Sequence, residues 1–114
     1  MTDHEMLTSL MQETDITMPT ARTVLEDIAG IPEVDVARAA INRVMMAALQ
    51  PRTDPPRDGM RALIVEIRNA LVPARHDLLK IGARPAVRVS IIAIDRLLNF
   101  TTECENDIRN RRSM

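Results

Sequence analysis

The sequence predicts an all-α fold, and three features of its composition carry that prediction. Among its 114 residues there is one Phe and neither Tyr nor Trp, so the core must be built from aliphatic side chains and eight methionines. Alanine, leucine and methionine favour helix, and runs of β-branched residues between turn signals are scarce. Only three glycines interrupt the chain. We therefore expect residues 1–114 to form a single-domain helical bundle of four to five helices.

The N-terminal part of the chain predicts two short helices. Thr2 and Glu5 have the spacing of a capping box, which indicates a first helix over residues 3–14. Pro19 suits the first position of a second helix, because that position needs no amide hydrogen. Gly30 ends this second helix as a left-handed cap.

A third helix is predicted from Pro32 to Gln50, because Pro51 disfavours helical backbone in the residue before it. Glu33 then lies in the first turn, where the helix dipole favours negative charge. The following stretch, residues 51–59, contains three prolines and one glycine and predicts an exposed loop.

The last part of the chain predicts two longer helices. One covers residues 58–81, begins at an Asp58 cap, and is either kinked or split at Pro73. The other starts at Pro85 and runs to Asn110 as a long C-terminal helix. Because it is so apolar, it is either central in the bundle or shared with a second subunit, and we expect it at the centre. Residues 111–114 are left as a tail.

Charge is distributed unevenly along the chain. Residues 1–55 hold nine acids and four bases, whereas the remainder holds seven acids and eleven bases. The chain thus divides into an acidic helical half (1–50), the Pro-rich loop and a basic helical half (60–110). We expect the halves to pack against each other, within one chain or across a dimer. The overall net charge of −1 provides no general attraction for nucleic acid.

Three arginines spaced by seven residues, Arg61, Arg68 and Arg75, form what we call the Arg row. They fall between two apolar rows of the same predicted helix, and charge in such a place is rarely left unpaired. One interpretation is that the Arg row binds a partner protein with an acidic surface. The other is that it pairs with carboxylates of the N-terminal half or of a second subunit; the candidates in this chain are Glu26, Asp27, Glu33 and Asp35.

No arrangement of residues predicts catalysis. Cys104 lies between two glutamates, which would raise its pKa, so we interpret it as a small core residue. His76 and Asp77 are adjacent, but on a helix surface such a pair is usually solvated. The sequence has no metal-ligand spacing and no phosphate-binding glycine loop. We predict no catalytic residue, no metal and no cofactor.

The cellular location follows from three observations. A single cysteine excludes an intramolecular disulfide and suggests a reducing compartment. The N-terminus lacks the pattern of a signal peptide, and no apolar stretch approaches the ~20 residues that span a bilayer. We expect a cytoplasmic protein without membrane contact.

Together these features predict a small non-enzymatic protein–protein interaction module, of the regulator, adaptor or antiactivator type, that acts as a homodimer. One alternative is a helix-turn-helix-like DNA-binding regulator built on residues 20–44. Glu26 and the acidic start of the following helix oppose this alternative, and nucleic acid is not an expected partner. The other alternative is a small accessory subunit of an enzyme complex.

Overall fold

The computed structural model describes residues 2–50 and 55–112, and every regular element within them is an α-helix. The four helices are α1 (Asp3–Glu26), α2 (Pro32–Leu49), α3 (Pro56–Leu79) and α4 (Pro85–Arg112). The prediction of an all-α fold is therefore confirmed. The third predicted helix matches α2. Gly30 adopts the predicted left-handed backbone with φ +100°, but it is not the helix cap, because α1 ends at Glu26 with Asp27 as its C-cap.

Helix α1 corrects the prediction of two short helices, because it runs without a break through Pro19. The predicted capping box is present at its start, where the Glu5 amide donates to Thr2 Oγ1 at 3.1 Å. Proline removes only one hydrogen bond from the helix, the one to the Asp15 carbonyl. The buried face continues on both sides of this gap, and tertiary packing therefore prevails over the local stop signal. The buried face of α1 consists of Leu7, Leu10, Thr14, Thr17, Met18, Ala21 and Leu25.

Helix α3 starts two residues earlier than predicted. Pro55 is its N-cap and Pro56 its first residue, so Asp58 lies in the first turn instead of capping the helix. Residues 56–59 thus belong to α3 and not to the Pro-rich loop, whereas residues 51–54 lie outside the described part of the chain. The helix continues through Pro73 as one element. Helix α4 extends to Arg112, so two residues assigned to the tail are helical.

The four helices alternate in direction. Arg22 of α1 donates to Asn42 of α2 at 3.3 Å, and Arg57 at the start of α3 reaches Asp3 at the start of α1 at 3.1 Å. Helices α1 and α2 are therefore antiparallel, while α1 and α3 are parallel. Both α1 and α3 contact all other helices, but α2 and α4 do not meet in the described residues. The expectation of α4 at the centre is wrong, since α1 and α3 occupy that place.

The buried side chains form one contiguous core, although helix pairs approach each other to different extents. Small residues such as Ala47 and Ala70 line the boundary between α2 and α3, which pack extensively. Helices α3 and α4 share much less contact. Arg68 and Arg75 bridge these two helices through polar contacts. Among pairs of consecutive helices, α3 and α4 are therefore the least closely packed.

Candidate interaction surface between α3 and α4

The Arg row lies along one side of α3, at the border between a buried and an exposed apolar row. Seven-residue spacing in a continuous helix returns each arginine to nearly the same direction. The buried row consists of Met60, Ile64, Ile67, Leu71 and Leu78. The exposed row consists of Val65, Val72 and Leu79, which are 55%, 54% and 51% exposed. The predicted geometry of the Arg row is thus present, but its second apolar row faces solvent.

Arg75 is held by Asp95 of α4. Its Nε donates to Asp95 Oδ1 at 2.6 Å, and Nη2 donates to Oδ2 at 3.4 Å. This two-point contact raises the pKa of Arg75, first through the hydrogen bonds and then through the charge of Asp95. Both side chains remain partly exposed, so the contact orients the guanidinium without removing it from solvent.

Arg68 contacts three residues of α4. It forms an ion pair with Glu105, and it donates from Nε to Thr101 Oγ1 at 3.2 Å and from Nη2 to Thr102 Oγ1 at 3.3 Å. The Thr101 hydroxyl in turn donates to the Leu98 carbonyl, which directs its lone pairs toward Arg68. Arg68 is therefore fixed in place by a network from a single neighbouring helix.

The carboxylates that meet Arg68 and Arg75 are not those named from the sequence. They belong to α4, in the same basic half of the chain, and not to the acidic N-terminal half. Glu26 lies 4.0 Å from Arg38 of α2, and Asp35 accepts from the Gly30 amide at 3.1 Å. Sequence reasoning missed the true partners because it compared charge totals, whereas pairing depends on which helix lies beside which.

The two halves nevertheless meet through opposite charges elsewhere. Arg57 of α3 pairs with Asp3 of α1 at 3.1 Å, and Arg96 of α4 pairs with Glu13 of α1. The expectation that acidic and basic halves pack together within one chain is therefore met at these two contacts. It is not met by the Arg row.

Arg61 differs from the other members of the Arg row. In the part of the chain that the structure describes, it has neither an ion pair nor a hydrogen bond. It lines a cleft of about 400 Å³ between the start of α3 and the end of α4. We call this the α3–α4 cleft, and its walls are Arg61, Ile64, Val65, Arg68, Glu105, Ile108 and Arg109.

The cleft combines an apolar floor with a positive rim, since three arginines line it against one carboxylate. Arg61 and Arg68 belong to this site, whereas Arg75 lies beyond it, two helical turns along α3. Glu105, Ile108 and Arg109 were missed as site residues. Their spacing of three and one places them on one side of α4, but nothing in the sequence shows that this side faces the start of α3.

The remaining candidate residues carry no reactive arrangement. Cys104 is buried, and its pKa rises to about 11, mainly because burial disfavours the thiolate and then because of Glu103 and Asp107. The interpretation as a core residue is confirmed. His76 is exposed, and Asp77 pairs with Lys80 at 3.5 Å.

A second cleft lies between α1 and α2 and is more apolar. Its volume is about 330 Å³, and its side chains include Met11, Met45 and Leu49. It contains one acid, Asp15, and no basic side chain. The α3–α4 cleft remains the better candidate for selective recognition, because it offers charge and apolar surface together.

No family model, curated protein or solved structure matches this chain. Among the described helices, none combines the length and hydrophobicity needed to cross a bilayer. The described residues also contain no cluster of three potential metal-binding side chains.

Proposed function

We propose that this protein is a small non-enzymatic protein–protein interaction module, of the regulator, adaptor or antiactivator type. It acts as a helical homodimer and binds an acidic partner protein through Arg61, Arg68 and Arg75. One observation carries the proposal: an exposed apolar row, Val65, Val72 and Leu79, runs beside the Arg row on α3. The proposal treats residues 1–114 as one bundle-forming domain of a cytoplasmic protein, in keeping with its single, buried cysteine.

The surface suits an amphipathic helix that carries acidic residues beside its apolar face. Val65 and Ile108 provide apolar contacts in the α3–α4 cleft, and Arg61 is available for a carboxylate. Helix α4 already orients Arg68 and Arg75, so these side chains lose less conformational entropy when a partner binds. Helix-in-groove recognition uses this combination of apolar anchors and flanking charge.

The helix-turn-helix alternative receives less support from the geometry. Helices α1 and α2 run antiparallel, with Arg22 near Asn42 and Arg38 near Glu26. In a helix-turn-helix the two helices cross at about 90–120°. An accessory subunit of an enzyme complex would use the same surface as the interaction module, and its partner would identify it.

The sharpest test uses Arg61, because its substitution breaks no ion pair within the described chain. Purified wild type and the variants Arg61→Glu and Arg68→Ala are used to capture proteins from a lysate of the native organism, followed by mass spectrometry. Arg88→Glu is the matched control, since Arg88 is an exposed arginine of α4 outside the cleft. We expect wild type and the control to retain the same acidic partner, and the two Arg-row variants to lose it while remaining helical by circular dichroism.

Two results would contradict the proposal. Capture of the same proteins by wild type and all three variants would show that the Arg row has no binding role. Loss of helical structure in Arg68→Ala, with intact capture by Arg61→Glu, would assign the Arg row to stability alone.

A further inference from the structure

A groove follows the line along which α1 and α4 pack together, the most extensive helix contact in the described residues. It joins two adjacent clefts of about 510 and 380 Å³, which share Glu13, Phe100 and Glu103 as walls. We call it the α1–α4 groove, which is lined by side chains from residues 6–16 of α1 and 92–103 of α4. Its length is about 16 Å at 1.5 Å per residue, or three helical turns. None of its lining residues belongs to the α3–α4 cleft.

Apolar side chains line the α1–α4 groove along its length. Ile16 and Ile92, at one end, are 55% and 68% exposed, and Met6 and Phe100, toward the other end, are partly buried. Phe100 is the only aromatic residue of the chain, and it lies in this groove while the buried core is aliphatic. Aromatic side chains are enriched in protein interfaces. The groove therefore offers apolar anchors that the fold leaves partly uncovered.

The charged side chains of the groove leave it negative. Three carboxylates and one guanidinium line it. Arg96 pairs with Glu13, and Asp95 is held by Arg75 of α3. Glu103 is exposed and has neither an ion pair nor a hydrogen bond in the residues that the structure describes. One carboxylate thus remains uncompensated at the edge of an apolar groove.

We propose that the α1–α4 groove binds a basic amphipathic helix of a partner protein. Apolar side chains of that helix contact Ile16, Ile92 and Phe100, and a lysine or arginine beside them reaches Glu103. A groove of three turns between two helices suits helix-in-groove recognition, in which apolar anchors lie one and two turns apart. The charge of the lining selects a basic helix, because charge complementarity across an interface favours the matching partner.

This inference goes beyond the proposed function and does not rest on it. When α4 is stepped at about 100° per residue, Ile92 and Glu103 fall on one flank, whereas Glu105 and Ile108 of the α3–α4 cleft fall on the other. The two surfaces also have opposite charge. They therefore take different partners, which is the arrangement that an adaptor needs to hold two proteins at once.

A second copy of the chain is a weaker candidate for the groove. Its Arg row is the basic surface that it would offer, but Arg68 and Arg75 are already paired with acids of α4. A foreign helix with unpaired lysines or arginines complements Glu103 better. Self-association through the groove is accordingly treated as a competing outcome of the test.

Fluorescence anisotropy with two labelled peptides tests the groove. Each peptide is an amphipathic helix of about four turns, held helical by a side-chain crosslink because short peptides are otherwise marginally helical. The two carry the same leucines, but one has flanking lysines and the other has glutamines in their place. We expect the basic peptide to bind wild type at a single saturable site, and the neutral peptide to bind about twofold to fivefold more weakly.

Ile92→Arg tests the apolar contact. It should weaken binding of the basic peptide by about tenfold or more, because it removes an anchor and adds a like charge. Val36→Arg is the matched control, since Val36 is 54% exposed on α2 and the substitution changes the net charge equally. Circular dichroism of both variants should match wild type, as neither side chain is buried.

Glu103→Gln tests the charge contact. It should weaken the basic peptide by about twofold to fivefold and leave the neutral peptide unchanged, because only the lysine peptide has a cation to lose. Asp15→Asn is the matched control, since Asp15 is an exposed carboxylate of the α1–α2 cleft. Arg61→Glu should bind the basic peptide no more weakly than wild type does, because Arg61 lies outside the groove.

Three results would overturn the proposal. The first is equal binding of the basic peptide by wild type and Ile92→Arg. The second is weaker binding by Asp15→Asn together with full binding by Glu103→Gln, which would move the site to the α1–α2 cleft. The third is self-association of the protein alone, measured by sedimentation velocity, that Ile92→Arg abolishes, since this would assign the groove to a second copy. The acidic partner is judged separately by the capture experiment with Arg61→Glu.

Discussion

Arg75 and Asp95 join the C-terminal half of α3 to the first half of α4 through two hydrogen bonds, the shorter of 2.6 Å. This contact joins two helices that pack less extensively than α2 and α3 do. It also explains why the folded protein tolerates the Arg row beside its core without a bound ligand. The acids that compensate Arg68 and Arg75 come from the neighbouring helix, which leaves Arg61 as the member available for a partner.

A double-mutant cycle measures the Arg75–Asp95 contact. We expect Asp95→Asn and Arg75→Ala each to lower the free energy of unfolding, with a coupling of about 0.2–1 kcal/mol because water screens this partly exposed pair. Urea denaturation followed by circular dichroism provides the values. Arg88→Ala is the control for loss of an exposed arginine on α4. Strict additivity of the two substitutions would show that the contact contributes nothing to stability.

The pKa of Cys104 predicts a specific loss of stability at alkaline pH. The folded protein holds the thiol proton up to a pKa of about 11, whereas the ordinary value is 9.0. Below pH 9 both states are protonated, so the contribution is fully present there. As pH rises toward 11, the unfolded chain releases its proton first and the folded state loses stability.

The chain is well suited to this measurement, because it contains no tyrosine that would titrate in the same range. The difference in unfolding free energy between wild type and Cys104→Ala should shrink as pH increases from 9 to 11. A thiol reagent should also leave the native protein unmodified at pH 8. A difference that stays constant across this range, or rapid modification at pH 8, would place Cys104 outside the core.

Two isoleucines of α4 test the depth of the core. Ile94 is fully buried, and Ile92, two residues away, is 68% exposed. We expect Ile94→Ala to lower the free energy of unfolding by about 2–5 kcal/mol, and Ile92→Ala to change it by less than about 0.5 kcal/mol. Chemical denaturation at low protein concentration gives both values. Equal effects would contradict the orientation of α4, in which Ile94 faces the core and Ile92 faces solvent.

Pro19 tests the continuity of α1. Within one long helix, Pro19→Ala restores an amide donor for the Asp15 carbonyl and should raise the free energy of unfolding, by about 1–3 kcal/mol. The thermal midpoint should rise, and the helical circular dichroism signal should not fall. If the chain instead breaks at Pro19, the proline would favour the start of a second helix, and its replacement would lower stability.

Much of the fold could be read from local chemistry. Thr2 and Glu5 specify the start of α1, Pro32 the start of α2, and Gly30 the left-handed turn between these two helices. Such signals act between residues close in sequence, so they need no knowledge of neighbours. The prolines inside helices are the exception. Pro19 and Pro73 carry the same stop signal, yet a continuous apolar face on both sides keeps each helix intact.

In the candidate site, too, some features follow from local sequence and others depend on the tertiary structure. Seven-residue spacing by itself placed Arg61, Arg68 and Arg75 on one side of one helix, because helical periodicity is a local property. Only the tertiary structure decided that Asp95 and Glu105 would meet two of them and that Arg61 would line a cleft with α4. Which helices become neighbours depends on how all the apolar faces pack together, and that is a property of the whole chain.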